Sequence, residues 1–190
     1  MVLGTFTAVF AAEPTVEEAA GAFLEKVGVL LGDDEGDLLL EENLERRDAV
    51  ILLSRLLDQE EVAKEFPTSE ESPSWTDART DAYYVPFFAW AEANKYFEGN
   101  DDGTFAPREA ITAQEYALVL LRALGYEASG HDAWKAALET AKELGLLVDV
   151  EVKDADKVLR GQMAVMTLNA LGTKMNDSDK TLAEELGIEM

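Results

Sequence analysis

Apolar positions along this chain follow a helical rhythm that is interrupted at regular intervals by Gly/Asp turns. Over residues 15–31, Val16, Ala19, Ala20, Phe23, Leu24, Val27 and Leu30–Leu31 recur at i, i+3/i+4, which predicts an amphipathic helix. Thr15 with Glu17 and Glu18 suits its start, by a hydroxyl cap and acids in the first turn. Gly32-Asp33-Asp34-Glu35-Gly36 ends it, residues 38–40 look extended, and 45–57 form a second helix that buries Val50, Leu53 and Leu57 or their neighbours. Further helices are predicted at 59–66 (one short turn), 81–97, 112–124, 132–147, 159–171 and 181–186. Pro86 should sit in the first turn of the aromatic helix 81–97 or delay its start, because proline lacks the amide that a helix interior needs. Thr112 and Glu115 have capping-box spacing, and Gly125, Gly145 and Gly172 are helix stops. Residues 67–80 are polar, carry two prolines and read as a linker. The expectation is an all-α chain with at most two-residue strand pairings between turns.

The pattern repeats. Moving back 67 residues places Gly99 on Gly32, Asp101 on Asp34, Gly103 on Gly36, Glu109 on Glu42 and Ile111 on Leu44. Moving forward 47 places Ala113 on Arg160, Gln114 on Gly161, Glu115 on Gln162 and Ala117 on Ala164. Such self-similarity means one supersecondary unit used three times. The predicted organisation is 13–66, 67–128 and 129–190, the last with a C-terminal extension, behind a short segment 1–12.

Composition narrows the function. Thirty-nine acidic against sixteen basic residues give a net charge of −23, a field that repels nucleic acid and anionic membrane surfaces. The absence of cysteine removes disulfide, thiol and zinc–thiolate chemistry. Residues 1–12 are apolar, small and uncharged, and read as the tail of a secretory signal peptide with Val9-Phe10-Ala11 as a small-x-small cleavage site. A buried N-terminal strand is the alternative. No uncharged apolar run is long enough for a membrane span. No nucleophile elbow, phosphate loop or histidine–carboxylate motif is present, so the sequence does not read as an enzyme or imply a cofactor.

The middle copy, Gly99-Asn100-Asp101-Asp102-Gly103-Thr104-Phe105-Ala106-Pro107 followed by Ile111-Thr112 and Glu115, resembles the S-layer homology repeat. Trp75-Thr76-Asp77 is similar to that repeat's lead-in. The first copy keeps Leu44-Glu45-Arg46-Arg47-Asp48 and the third Val158-Leu159-Arg160-Gly161-Gln162. The resemblance implies a pseudo-threefold trimer of helix–turn–helix repeats around a central three-helix bundle. It also implies grooves that bind secondary cell-wall polysaccharide, often pyruvylated, and so non-covalent anchoring of a secreted protein to the bacterial cell wall or S-layer. Other surface-layer subunits are further candidate partners.

Carried onto this chain, the motif's arginine is Arg46 in the first copy and Arg160 in the third, but Ala113 in the middle one. Its glutamate is Glu115, with Asp48 and Gln162 in the other copies. Arg46, Asp48, Trp75, Asp77, Glu115, Trp134 and Arg160 are thus the candidate glycan-binding residues. The chemistry is reasonable: a guanidinium fork suits a carboxylate, an aromatic face suits a sugar ring, and carboxylates accept from hydroxyls. Two rival readings remain. Glu98, Asn100, Asp102 and Glu109 nearly fit a calcium loop, with Glu at the first position and Pro107 inside it as defects. The same fold could also serve as an envelope scaffold or self-assembly module whose grooves have degenerated.

Overall fold

A computed structural model describes residues 13–190; the signal-peptide reading of 1–12 lies outside the described residues. Among the described residues eight helices follow one another: α1 Val16–Lys26, α2 Arg46–Leu56, α3 Glu60–Lys64, α4 Val85–Ala93, α5 Ala113–Ala123, α6 Gly130–Glu143, α7 Arg160–Leu171 and α8 Leu182–Leu186. Among the described residues there are no strands, only isolated bridges, so the chain is all-α.

Three buried residues tie the chain together. The amide of Leu44 donates to the carbonyl of Val158 (2.9 Å), Val158 donates to Ile111 (3.0 Å), and Ile111 donates back to Leu44 (2.9 Å). All three are fully buried, so the ring closes without water. It lies just before α2, α5 and α7.

The ring also solves a problem that every helix has, four amides at its N-terminus without intrahelical partners. Neither Glu45 nor Ser129 caps its helix by a side chain. In α2 the amides of Arg46 and Arg47 donate instead to Glu109 and Pro107 in the turn before α5, both at 2.9 Å. In α5 the amides of Ala113 and Gln114 reach Asp156 and Asp154, and in α7 those of Arg160 and Gly161 reach Glu42 and Leu40. Each turn caps a helix from another part of the chain. Thr112 adds the capping box with Glu115 that its spacing suggests.

The remaining helices interlock across this frame. α1 packs on α7, α6 on α5, and α4 with α3 on α2. None of α1, α4 and α6 takes the next long helix in the chain as its main partner. The interface between α5 and α7 holds one buried polar link, Tyr116 Oη to Thr167 Oγ1 at 2.7 Å. Burial pushes the Tyr116 phenol far above its ordinary range, so it stays neutral there.

The turns share a backbone shape. Left-handed residues occur at Gly28, Gly36, Leu39 and Asp58, and again at Lys95, Gly103, Ala106 and Gly125, each pair 67 apart. Leu39 and Ala106 adopt φ of 53° and 54° despite a Cβ, which the surrounding hydrogen bonds must enforce.

Helices are shorter than the apolar rhythm suggests. The aromatic helix starts at Val85 with Pro86 in its first turn, and α1 stops at Lys26. Residues 67–80, read as a linker, fold onto the body at their far end. Trp75 is 5% exposed and stacks on Phe105 at 4.4 Å. Gly99 sits against that indole so closely that a Cβ there would meet it at 2.4 Å, which leaves glycine as the only side chain that fits.

Leu44→Ala should lower unfolding stability by about 2–5 kcal/mol, since it opens a cavity beside the ring. Val62→Ala, at a position 58% exposed, should change it by less than about 0.5 kcal/mol. Urea denaturation of both variants checks the contrast.

Candidate functional site

The capping exchange brings Arg46, from the start of α2, against the α5 half of the molecule. Its guanidinium is held on every side: Nε donates to the Phe105 carbonyl at 2.7 Å, Nη1 meets Glu115 Oε1 at 2.5 Å, and Nη2 reaches the Glu98 carbonyl at 3.3 Å. It also lies over the Phe105 ring, 4.7 Å from the centroid. With 5% exposure, Arg46 is a buried cation that a carboxylate neutralises.

Arg160 repeats the geometry with one difference. Its Nε donates to Leu38 (2.8 Å) and its Nη2 to Leu31 (3.1 Å), carbonyls 67 residues before those that Arg46 uses. Where Arg46 has Glu115, Arg160 has Asp48, whose side chain is one methylene shorter. Among the described residues Arg160 makes no ion pair. Burial pushes its pKa down, a pull that Asp48 opposes and Arg55 reinforces. Ala113, the matching position of α5, is fully buried and supplies no cation.

A cavity of about 540 Å³ opens beside Arg46. Glu98, Asn100, Asp101, Glu115, Arg122, His131 and Trp134 line it. Trp134 is 39% exposed and stacks on His131 at 5.8 Å and 11°. Arg122 is held like Arg46, by the carbonyls of Ala128 and Tyr96 and by Glu98 Oε1 at 2.9 Å. Sequence reasoning passed over Arg122; its signal was its place 67 residues after Arg55, on the polar edge of a capped helix.

A second cavity of about 650 Å³ lies on the other side of the 104–109 turn, lined by Arg47, Asp77, Tyr84, Phe88 and Arg108 among others. Arg47 lies over Tyr84 at 5.1 Å and contacts Glu45 at 2.7 Å.

The seven candidate glycan residues are therefore dispersed. Arg46, Glu115 and Trp134 share one cavity. Asp48 lies near Arg160 and Tyr84. Asp77 uses both oxygens to hold the Phe105 and Ala106 amides, at 2.7 and 2.8 Å, and so shapes the turn. Trp75 belongs to the aromatic core rather than to either cavity.

The calcium-loop residues are occupied elsewhere. Asp102 accepts from the Thr104 amide and hydroxyl, Asn100 donates to Thr104, and Glu98 pairs with Arg122. Among the described residues no three histidine or acidic side chains converge as a metal site.

Comparison with known proteins gives a consistent assignment. A family model described as the S-layer homology domain matches residues 76–117. The chain is 26% identical over 149 residues to the middle cell wall protein of Brevibacillus brevis, covering 78% of this chain and 14% of that protein. It is 24% identical over 171 residues to the surface layer protein of Brevibacillus choshinensis, covering 84% and 15%. It is 31% identical over 115 residues to cell surface glycoprotein 1 of Acetivibrio thermocellus, covering 59% and 5%. The chain thus spans no more than 15% of the length of these relatives. Together these matches indicate a secreted, cell-wall-associated protein. Among the described residues no helix is long and apolar enough to cross a membrane.

The two arginines should respond differently to truncation. Arg46→Ala should cost about 3 kcal/mol or more, because it strands Glu115 and two carbonyls, whereas Arg160→Ala should cost about 1 kcal/mol. Thermal or urea unfolding distinguishes them. Burial also pushes the Asp48 carboxyl above its ordinary value, against the lowering pull of Arg47 and Arg160. A raised folded-state pKa means that the ionised form weakens the fold, a penalty present at neutral pH and relieved as pH falls through that value. Asp48→Asn should therefore gain stability relative to the parent between about pH 4 and pH 7, as read from paired unfolding curves.

Proposed function

We propose that this chain, whose residues 76–117 match the S-layer homology domain, anchors a larger secreted protein to the bacterial envelope by binding secondary cell-wall polysaccharide. The binding sites in this reading are the grooves beside Arg46 and Arg160. The observation that carries it is the cavity of about 540 Å³ where Arg46, Glu115 and the exposed indole of Trp134 meet. Polar side chains around an aromatic platform are what recognition of a sugar ring requires.

The same reading takes the chain as three repeats, 13–66, 67–128 and 129–190, related by a pseudo-threefold axis. The closed hydrogen-bond ring of Leu44, Ile111 and Val158 and the cyclic capping of α2, α5 and α7 support it. The prongs are then α1, α4 and α6. No catalytic step is assigned to any residue; the function is adhesive.

A second reading has one specific observation in its favour. Ala113 removes the cation from one position and Glu115 neutralises it at another, which suits a surface-layer scaffold or self-assembly module with degenerate grooves. Binding of the purified chain to bacterial wall sacculi, before and after acid removes their polysaccharide, separates the two. Anchoring predicts binding that disappears with the polysaccharide and falls at least fivefold in Arg160→Ala. Equal recovery on intact and stripped walls, or none on either by a folded protein, would favour the scaffold.

A further inference from the structure

We infer that the cavity beside Arg46 takes an uncharged hydroxylated ring and rejects an acidic one of the same shape, so that its charge pattern sets the ligand class. This rests on the carbohydrate reading of the grooves but concerns a property that anchoring does not require.

The argument is electrostatic. Two guanidinium groups line the cavity, and each has a carboxylate in contact, Arg46 with Glu115 at 2.5 Å and Arg122 with Glu98 at 2.9 Å. The rest of each fork is committed to backbone carbonyls. Asp101 adds a third acid to the wall. An entering carboxylate would find no free cation and would face a net negative wall, inside a chain of net charge −23. It would lose hydration without a charged partner in return.

A neutral polyol meets the opposite situation. Glu115 and Glu98 keep lone pairs that accept from hydroxyls, and the indole of Trp134, 39% exposed, offers apolar surface to a ring's C–H face. Arg160 differs here, having no contacting carboxylate among the described residues. Any acidic group of the same glycan is accordingly directed to Arg160 and not to Arg46.

The device responsible is Glu115. Its Oε2 accepts from the Thr112 amide and hydroxyl at 2.8 Å, which caps α5, while Oε1 closes on Arg46. Glutamine keeps the cap but removes the charge that neutralises Arg46.

Methyl glucoside and methyl glucuronide test this, since they share a ring and differ by one carboxylate. Binding is followed by the Trp134 indole N–H resonance in the full chain, Glu115→Gln and Glu98→Gln, and by titration calorimetry in Trp134→Ala. The neutral glycoside should shift that resonance, with the glucuronide at least tenfold weaker in the parent. Either glutamine variant, shown to be folded, should shrink that preference at least fivefold, and Trp134→Ala should abolish neutral binding. Equal or tighter glucuronide binding by the parent would overturn the inference, as would an unchanged preference in both glutamine variants. Silence of the Trp134 signal with both sugars would overturn it too, while the sacculus experiment decides anchoring separately.

Discussion

Three backbone hydrogen bonds, Leu44 to Val158, Val158 to Ile111 and Ile111 to Leu44, close a ring that the rest of the molecule depends on. Around it, each turn supplies carbonyls to the exposed amides of a helix elsewhere in the chain. A helix N-terminus normally needs its own capping side chain or water. Here Glu109, Asp156 and Glu42 carbonyls do that task for α2, α5 and α7, so no one of these helices is finished until the others are in place. The outer helices reinforce the dependence, because α1 packs on α7 at the far end of the chain, while α4 and α6 pack back on the helices that precede them. Folding in one cooperative step follows from such sharing.

The same frame holds two arginines in equivalent places and makes their surroundings unequal. The arginine at the first turn of α2 and the one at the first turn of α7 point at equivalent carbonyls, Phe105 and Glu98 for one, Leu38 and Leu31 for the other. What separates them is one methylene group. Glu115 is long enough to reach Arg46 and also cap its own helix, while Asp48 makes no ion pair with Arg160. A cation already neutralised is a strut; one held only by carbonyls keeps its charge uncompensated. Local side-chain length thus decides which of the two arginines is paired with a carboxylate.

Much of this was legible in the sequence. The 67-residue echo that aligns Ile111 with Leu44, and Gly103 with Gly36, recurs in the left-handed residues of the turns. The capping box of Thr112 and Glu115 and the place of Pro86 were readable from residue chemistry alone. Other features were hidden. Trp75 sits in a polar, proline-bearing stretch, and only the tertiary stacking on Phe105 draws it into the core. The partner of Arg46 lies 69 residues away, and the choice of α7 as the main partner of α1 comes from the capping exchange rather than from helical periodicity. Apolar spacing also overran the helix ends, because residues beyond Lys26 and Ala93 turn away yet remain buried, as Leu30 and Phe97 do.

Native-state hydrogen exchange at the amides of Leu44, Ile111 and Val158 tests the organising role of the ring most directly. The account predicts that all three exchange only through global unfolding, with one shared free energy equal to that from denaturant titration. Exchange of any one of them at distinctly lower free energy, with its helix opening alone, would contradict it.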